Sequence, residues 1–422
     1  MSDVTNGHRS VLVLGGGMSG LSAALEAAEA GFPVYIVEKE PFLGGRVARM
    51  NKYFPKLCPP ACGLEINFRR IKNNPLVRFF TMAEVVNIAG QPGDLDVTVK
   101  MAPRYVNEKC TACGLCAQAA ETEVPNPFDY GLSTVKAAYL PHEFAFPLRY
   151  VIAPEVVGTA EAEKIRAACP YGAVDLDMQE KVFDLKVGAV IWATGWMPYD
   201  ASKIAYYGAG RYKNVITNVM MERLASTNGP TKGNIVRPSD GAPVQRVAFV
   251  QCAGSRDENH LPYCSGICCL ASLKQATYVL DQNPQASVTI FYIDIRALGK
   301  YEDFYTKVQS DARIRFVKGK PGEIWENAET GQVTVQVEDQ QTGAILRDAF
   351  DLVVLATGMV PTTADQKVPA EAAYDEHGFM LSAQPSGGVI PAGCVKRPVD
   401  VASSVQDATA AALKAIQAMV RR

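Results

Sequence analysis

Cysteine is the residue type in this chain whose spacing speaks most directly of chemistry. Eleven cysteines occur in 422 residues, and nine of them fall in three tight groups. These are Cys58 with Cys62, then Cys110, Cys113 and Cys116, and then Cys252, Cys264, Cys268 and Cys269. Cys110-Thr-Ala-Cys113-Gly-Leu-Cys116 is a C-x2-C-x2-C run, a spacing that lets three thiolates face one iron–sulfur cluster. The Cys252–Cys269 set supplies four thiolates, the number a cubane takes. Spacing alone leaves a structural zinc open there, and inert buried thiols are the bland reading of any cysteine. Met1 to Ser10 lack the positive start, apolar core and small-residue cleavage site of a signal peptide, so an unexported chain is expected. In a reducing compartment, cysteines clustered this densely serve metals or redox chemistry more often than disulfides.

The run from Cys110 resembles the ligand signature of a ferredoxin. In a two-cluster ferredoxin a Cys-Pro follows three residues later and serves the other cluster. Ala120 stands at that place, whereas a Cys-Pro appears farther on as Cys169-Pro170, with Gly172-Ala173-Val174 behind it. Between Val151 and Ala168 there is no cysteine. All ligands of one cluster are thus present (Cys110, Cys113, Cys116 and Cys169), and all ligands of the other are missing. One [4Fe–4S] cluster is expected, a three-iron cluster or a zinc site being the alternatives.

These cysteines need elements to hold them. Ser10-Val-Leu-Val-Leu14 reads as an apolar strand, and Gly15, Gly17 and Gly20 follow at G-x-G-x-x-G spacing. A helical pattern runs on to about Gly31, and a second strand, Pro33–Val37, delivers Glu38. This is the order of a βαβ dinucleotide site, with pyrophosphate on the helix N-terminus and the acid on the ribose. Glu38-Lys39 followed by Gly44-Gly45-Arg46 resembles the FAD motif of two-dinucleotide-domain flavoproteins. Two apolar strands running into Ala-Thr-Gly-x-x-Pro, one through Thr194 and Gly195 and one ending at Pro361, are similar to the turns that close each lobe there. That resemblance implies FAD held by Gly15, Gly17, Met18, Ser19, Gly20, Glu38, Lys39, Gly45, Arg46, Thr194 and Gly195. It also implies a C-terminal helix, over Gln406–Val420, aimed at the flavin from the segment holding Val401.

Gln245–Val250 reads as the opening strand of a second βαβ unit, and Ala286–Tyr292 as its second strand, ending at Asp294. Where glycines should follow the first strand, the chain has Gln251-Cys-Ala-Gly-Ser-Arg-Asp257. A tight NAD(P)H site is therefore not expected. The pair Cys58/Cys62 is a candidate redox dithiol or an extra ligand to the second cluster, and Cys394 reads as structural. The four histidines lie outside any acidic motif, so no acid–base catalyst and no nucleophile is assigned.

Taken together, Cys252-Ala-Gly-Ser-Arg-Asp257, Tyr263-Cys-Ser-Gly-Ile-Cys-Cys269, Val124-Pro-Asn-Pro-Phe128 and both Ala-Thr-Gly turns resemble the HdrA-like flavoproteins of heterodisulfide reductases. The resemblance implies a second [4Fe–4S] cluster on Cys252, Cys264, Cys268 and Cys269. One inserted cluster where relatives have two, and an end soon after the flavin fold, are similar to the branch found in quinone-interacting membrane-bound oxidoreductase complexes. That branch implies a relay between menaquinol and adenylylsulfate reductase, in a complex with a second flavin/iron–sulfur subunit and with a haem-containing membrane subunit. The full-length relatives imply electron bifurcation instead.

The expected fold is α/β: a Rossmann-like FAD lobe (1–103, 179–244 and 362–422), an inserted ferredoxin-like module (104–178) and a degenerate second nucleotide lobe (245–361). About half of the chain is hydrophobic and its net charge is −2. No basic cluster points to nucleic acid and no apolar run spans a bilayer, so a cytoplasmic location, peripheral to the inner membrane through partner subunits, is expected.

Overall fold

The computed structural model describes residues 9–382 and 388–420, so most of the polar stretch Met1–Ser10 lies outside the described residues. The chain divides into two compact units, Met1–Trp196 with Pro361–Arg422, and Met197–Val360.

The first unit is built on strand β1 (Val11–Leu14), helix α1 (Met18–Glu29) and strand β2 (Val34–Glu38). β1 is wholly buried, as expected of a central parallel strand covered on both faces. Its sheet is parallel, in the order Val389–Pro391, Ala189–Trp192, β1, β2, Val77–Thr81. Alanines and leucines of α1 pack on one face with Ala408, Ala411, Ala412 and Ala415 of the C-terminal helix. On the other face lies an antiparallel sheet of Lys181–Val187, Asp94–Met101 and Ala83–Gln91, through Val97, Val99 and Val187.

Between Met101 and Lys181 the chain forms a small module with its own core of Val106, Ala120, Ala137, Ile152, Val156 and Ile165. Ala120, where a two-cluster ferredoxin would carry a cysteine, is 4% exposed within that core.

The second unit has a parallel sheet in the order Val215–Thr217, Leu352–Thr357, Arg246–Ala253, Ser287–Tyr292, Ile314–Lys318. An antiparallel sheet of Glu323–Glu326, Val333–Glu338 and Ile345–Phe350 shares its core.

Two details differ from the sequence reading. The stretch 179–244 is split, because Val215–Thr217 pairs with Val353–Leu355 in the second unit's sheet. Hydrophobic pattern cannot say which of two similar parallel sheets a short edge strand joins. The last helix starts at Val401, not at Gln406. Asp400 starts it early, its carboxylate accepting the Ser403 amide at 2.7 Å. Among the described residues no helix is long and apolar enough to cross a membrane.

Candidate functional site

The glycine turn of the first unit is packed backbone against backbone. A Cβ on Gly15, which has φ +95°, would lie 2.4 Å from the Ala193 carbonyl oxygen, and one on Gly20 only 1.7 Å from that of Gly15. Both positions exclude side chains for internal reasons. Gly17 is different: its φ is −77°, and an added Cβ would meet only the Gly45 Cα, at 3.8 Å. The fold does not require glycine there, whereas a ligand backbone approaching the start of α1 does. On this observation the turn fits a dinucleotide.

Other candidate residues gather around that turn. Glu38 is buried at the end of β2, and its carboxylate accepts the amides of Gly16 at 2.6 Å and Glu40 at 2.8 Å. Burial pushes its carboxyl up to about 7, against the lowering effect of those two hydrogen bonds. Gly45, with φ +55°, closes on Gly17, where a Cβ would come to 2.8 Å of the Cα. Arg46 donates to the Trp196 carbonyl and, at 3.1 Å, to the Tyr130 hydroxyl, its guanidinium 4.9 Å from the Trp196 ring centre. Thr194 and Thr362 share a hydroxyl hydrogen bond at 2.6 Å, and the Thr362 amide donates to the Gly195 carbonyl, so the stretch after Pro361 returns to the first Ala-Thr-Gly turn. The C-terminal return reaches α1 as well: a Cβ on Gly393 would lie 2.1 Å from the Ser19 hydroxyl oxygen. Met18 and Val401 pack partly buried on the same core. Lys39 is exposed, and its charge favours the ionised form of the neighbouring Glu38.

In the inserted module, Cys110, Cys113, Cys116 and Cys169 line one small cavity, with Tyr150, Tyr171 and Val174. Among the described residues no three His, Cys, Asp or Glu side chains are drawn together tightly enough for a single metal ion. The four thiols stand around a space instead, which suits a multi-iron cluster. Gly114, at φ +86°, turns the chain between the second and third cysteines. Burial pushes the Cys116 thiol up to about 11. Cys169 is also raised by burial, but four amides of the turn after it (Ala173, Tyr171, Val174 and Gly172) outweigh that and hold it below the usual thiol range. The Ala173 amide donates to its sulfur at 3.3 Å. Such N–H···S contacts favour anionic sulfur and tune a cluster.

In the second unit the nucleotide turn is replaced at the same place in the fold. The helix Cys268–Gln282, which follows the strand Arg246–Ala253, begins with Cys268 and Cys269. In a nucleotide fold this helix start is where an anionic pyrophosphate rests. Cys252 sits at a bulge near the end of the strand, in a left-handed backbone with φ +53°. Cys264 lies in the loop and accepts the Gly266 amide at 3.3 Å. The four sulfurs are close enough to repel one another as thiolates. Cys268 is pushed up first by burial and then by Cys269, Cys252 and Cys264, and Cys252 reaches about 11 by burial and by Cys269.

Arg256 stands near Cys252 and pairs with Asp294 at 2.6 Å, while Arg296 faces Cys264. Buried side-chain atoms of Gln251, Ser255 and Ser272 have no hydrogen-bond partner in the protein. All three belong to the segment that carries the cysteines, and buried polar atoms are rarely left unpaired. The sulfides of a cluster held by those cysteines would supply acceptors for the unpartnered donors among them, so this site also fits its group.

Cys58 and Cys62 are free thiols, half-buried and exposed respectively, on either side of the first turn of the helix Pro60–Asn73. Both lie near Tyr53, whose phenol is raised by burial and then by Cys62 and Cys58. Cys394 is buried against the Val399 carbonyl and the Ser404 hydroxyl. Sequence reading missed Tyr150, which no motif marks. It also passed over Arg256 and Asp294 as cluster neighbours, although both stood in the segments it singled out.

A family model described as FAD dependent oxidoreductase matches residues 10–54. The chain is 39% identical, over 99% of its length, to an A-type iron–sulfur subunit of CoB–CoM heterodisulfide reductase from Methanopyrus kandleri, covering 65% of that protein. It is 37% identical, over 97% of its length, to the A-type subunit of the H2:CoB–CoM heterodisulfide, ferredoxin reductase of Methanothermobacter thermautotrophicus, covering 64% of it. The chain thus spans just under two thirds of the length of these relatives. Among solved structures, thioredoxin reductase of T. acidophilum shares the fold at a TM-score of 0.53 and 17% identity, with 97% of each chain covered. With a nucleotide turn that fits FAD, the chain is an FAD-dependent oxidoreductase that is similar over nearly its whole length to the A-type subunits of heterodisulfide reductases.

Proposed function

We propose that the chain is an electron-relay subunit holding one FAD and two [4Fe–4S] clusters. The observation that carries this reading is the convergence of Cys110, Cys113, Cys116 and Cys169 on one cavity, in the same compact unit as the nucleotide turn. Gly15, Gly17 and Gly20, with Met18 and Ser19, cradle the pyrophosphate at the start of α1, and Glu38 accepts from the ribose. Lys39, Gly45, Arg46, Thr194, Gly195 and Val401 line the rest of the flavin site. Cys252, Cys264, Cys268 and Cys269 hold the second cluster at the helix start that a nucleotide would otherwise use. When bound, FAD would supply two-electron chemistry and the clusters one-electron transfer. The protein's part is to exclude water, hold distances and set potentials through nearby charges and N–H groups.

As the finer assignment we propose a relay between menaquinol and adenylylsulfate reductase. Its partners would be a second flavin/iron–sulfur subunit, together with a haem-containing membrane subunit. The chain would then work on the cytoplasmic side of the inner membrane, held there through those partners. Ala120, buried where a second inserted cluster would need a thiolate, supports this branch. The identity to part of a heterodisulfide, ferredoxin reductase supports a second reading, a heterodisulfide reductase-type subunit that splits electron pairs.

The test is iron, acid-labile sulfide and flavin content of anaerobically purified protein, followed by reduction with menaquinol analogues, reduced ferredoxin or NADH. About eight iron and one FAD, with reduction by the quinol and none by NADH, is the expected result. Zinc in place of iron, or rapid bleaching by NADH, overturns the proposal. Reduction of a low-potential acceptor coupled to that of a second, higher-potential one selects the second reading.

A further inference from the structure

Arg104 lies where the chain leaves the strand Asp94–Met101 for the inserted module, and it is 6% exposed. Its guanidinium donates to the Arg149 carbonyl at 3.2 Å, to the Thr81 hydroxyl at 3.0 Å and to the Pro41 carbonyl. All three acceptors are neutral. Burying an ion without an opposite charge is costly, and carbonyls offset only part of that cost. The neighbours that act electrostatically on Arg104 are Arg149, which repels it, and Tyr139 and Cys110, which favour its charge. Burial raises the Tyr139 phenol, so it stays neutral at ordinary pH. Burial lowers Arg104 itself to about 10, which leaves it cationic at neutral pH. Geometry places it next to the cysteine cavity: Arg149, whose carbonyl it holds, precedes Tyr150, and Val106 lies two residues on from Arg104. Both Tyr150 and Val106 line that cavity, so an anionic cluster held there would compensate its charge.

We infer that Arg104 is the built-in counter-charge of the inserted cluster, a positioning residue that favours the cluster's reduced state. A thiolate-ligated cubane gains a negative charge on reduction, and a fixed cation in a poorly screened interior stabilises the more negative form. Arg104 also ties this cluster to the flavin side of its own compact unit. Thr81, which it holds, is the strand partner of Glu38, and Pro41 follows three residues after that acid.

This inference rests on the cluster proposed for Cys110, Cys113, Cys116 and Cys169. The experiment is a potentiometric titration, followed by electron paramagnetic resonance, of the iron-loaded full chain as wild type, Arg104→Gln and Arg104→Lys. The module's signal is the one absent from Cys113→Ser. Arg104→Gln is expected to shift the reduction equilibrium of that signal at least tenfold toward the oxidised form, about 59 mV for one electron. Arg104→Lys should stay near wild type, and the other cluster should not move. An unchanged potential in fully loaded Arg104→Gln overturns the inference, as does an equal shift in Arg104→Lys. If Arg104→Gln holds no module iron, retention at wild-type potential in Arg104→Lys still supports the charge role. Loss of module iron in both variants marks a structural strut and overturns it. Absence of the module's iron from the wild type overturns the proposed cluster itself, a result distinct from all of these.

Discussion

The amide of Gly16 donates to the carboxylate of Glu38 at 2.6 Å, so the acid proposed to face a ribose is already engaged by the glycine turn. Glu38 is 7% exposed and burial raises it from 4.5 to about 7. A raised carboxyl means that the folded chain keeps a proton which the unfolded chain releases. Its contribution to the stability of FAD-free protein is thus full below pH 4.5 and lost as pH rises through about 7. Each tenfold change in acidity between the folded and unfolded chain is worth about 1.4 kcal/mol, so the effect is on the order of 3 kcal/mol. Denaturation of flavin-free protein from about pH 5 to 8 should show that slope, and Glu38→Gln should flatten it. FAD affinity should rise over the same range in wild type alone, because an ionised acid is the better acceptor.

Gly17 and Gly20 should fail in different ways. Gly20→Ala puts a methyl 1.7 Å from the Gly15 oxygen and is expected to cost at least about 3 kcal/mol, or to prevent folding. Gly17→Ala meets nothing closer than 3.8 Å, so the flavin-free protein should melt like wild type and yet purify with little FAD. Equal flavin content in Gly17→Ala and wild type would remove the case for a pyrophosphate at that position.

Each cysteine set should hold about half of the iron. Cys113→Ser and Cys268→Ser are each expected to lose about four of about eight iron atoms, and the double variant nearly all of them. Zinc analysis alongside iron separates loss of a cluster from loss of a single-ion site.

Arg256 and Asp294, paired at 2.6 Å beside Cys252 and Cys269, should stabilise the second cluster set. Arg256→Ala removes one of the two cations at this cysteine set and leaves Asp294 paired with Arg296 alone, at 3.5 Å. It is expected to lower retained iron toward about four per chain while FAD content stays unchanged. Loss of FAD as well would point to general unfolding of the chain.

Much of the site was legible in local spacing. The glycine turn, Glu38, the Cys110–Cys116 run and the Cys268–Cys269 pair each declare their chemistry within a few residues, because a tight turn or a cluster edge is made by neighbours in the chain. Less legible was the membership of Val215–Thr217, which joins the second unit's sheet by pairing with a strand far along the chain. The early start of the last helix was missed because a single cap, Asp400, outweighed the serines and valines behind it.

The sequence by itself determined the two parallel-strand units, the acid after the second strand and which residues could serve as thiolate ligands. These follow from strand periodicity, glycine placement and cysteine spacing, all short-range properties. Only the tertiary structure decided that Cys169 shares a cavity with Cys110, Cys113 and Cys116, and that a buried Arg104 holds both the Arg149 carbonyl, next to cavity-lining Tyr150, and the strand partner of Glu38. Those meetings depend on how the inserted module folds back on the sheet. A buried cation without a carboxylate partner has no local signature, and it becomes visible only when every group around it is in place.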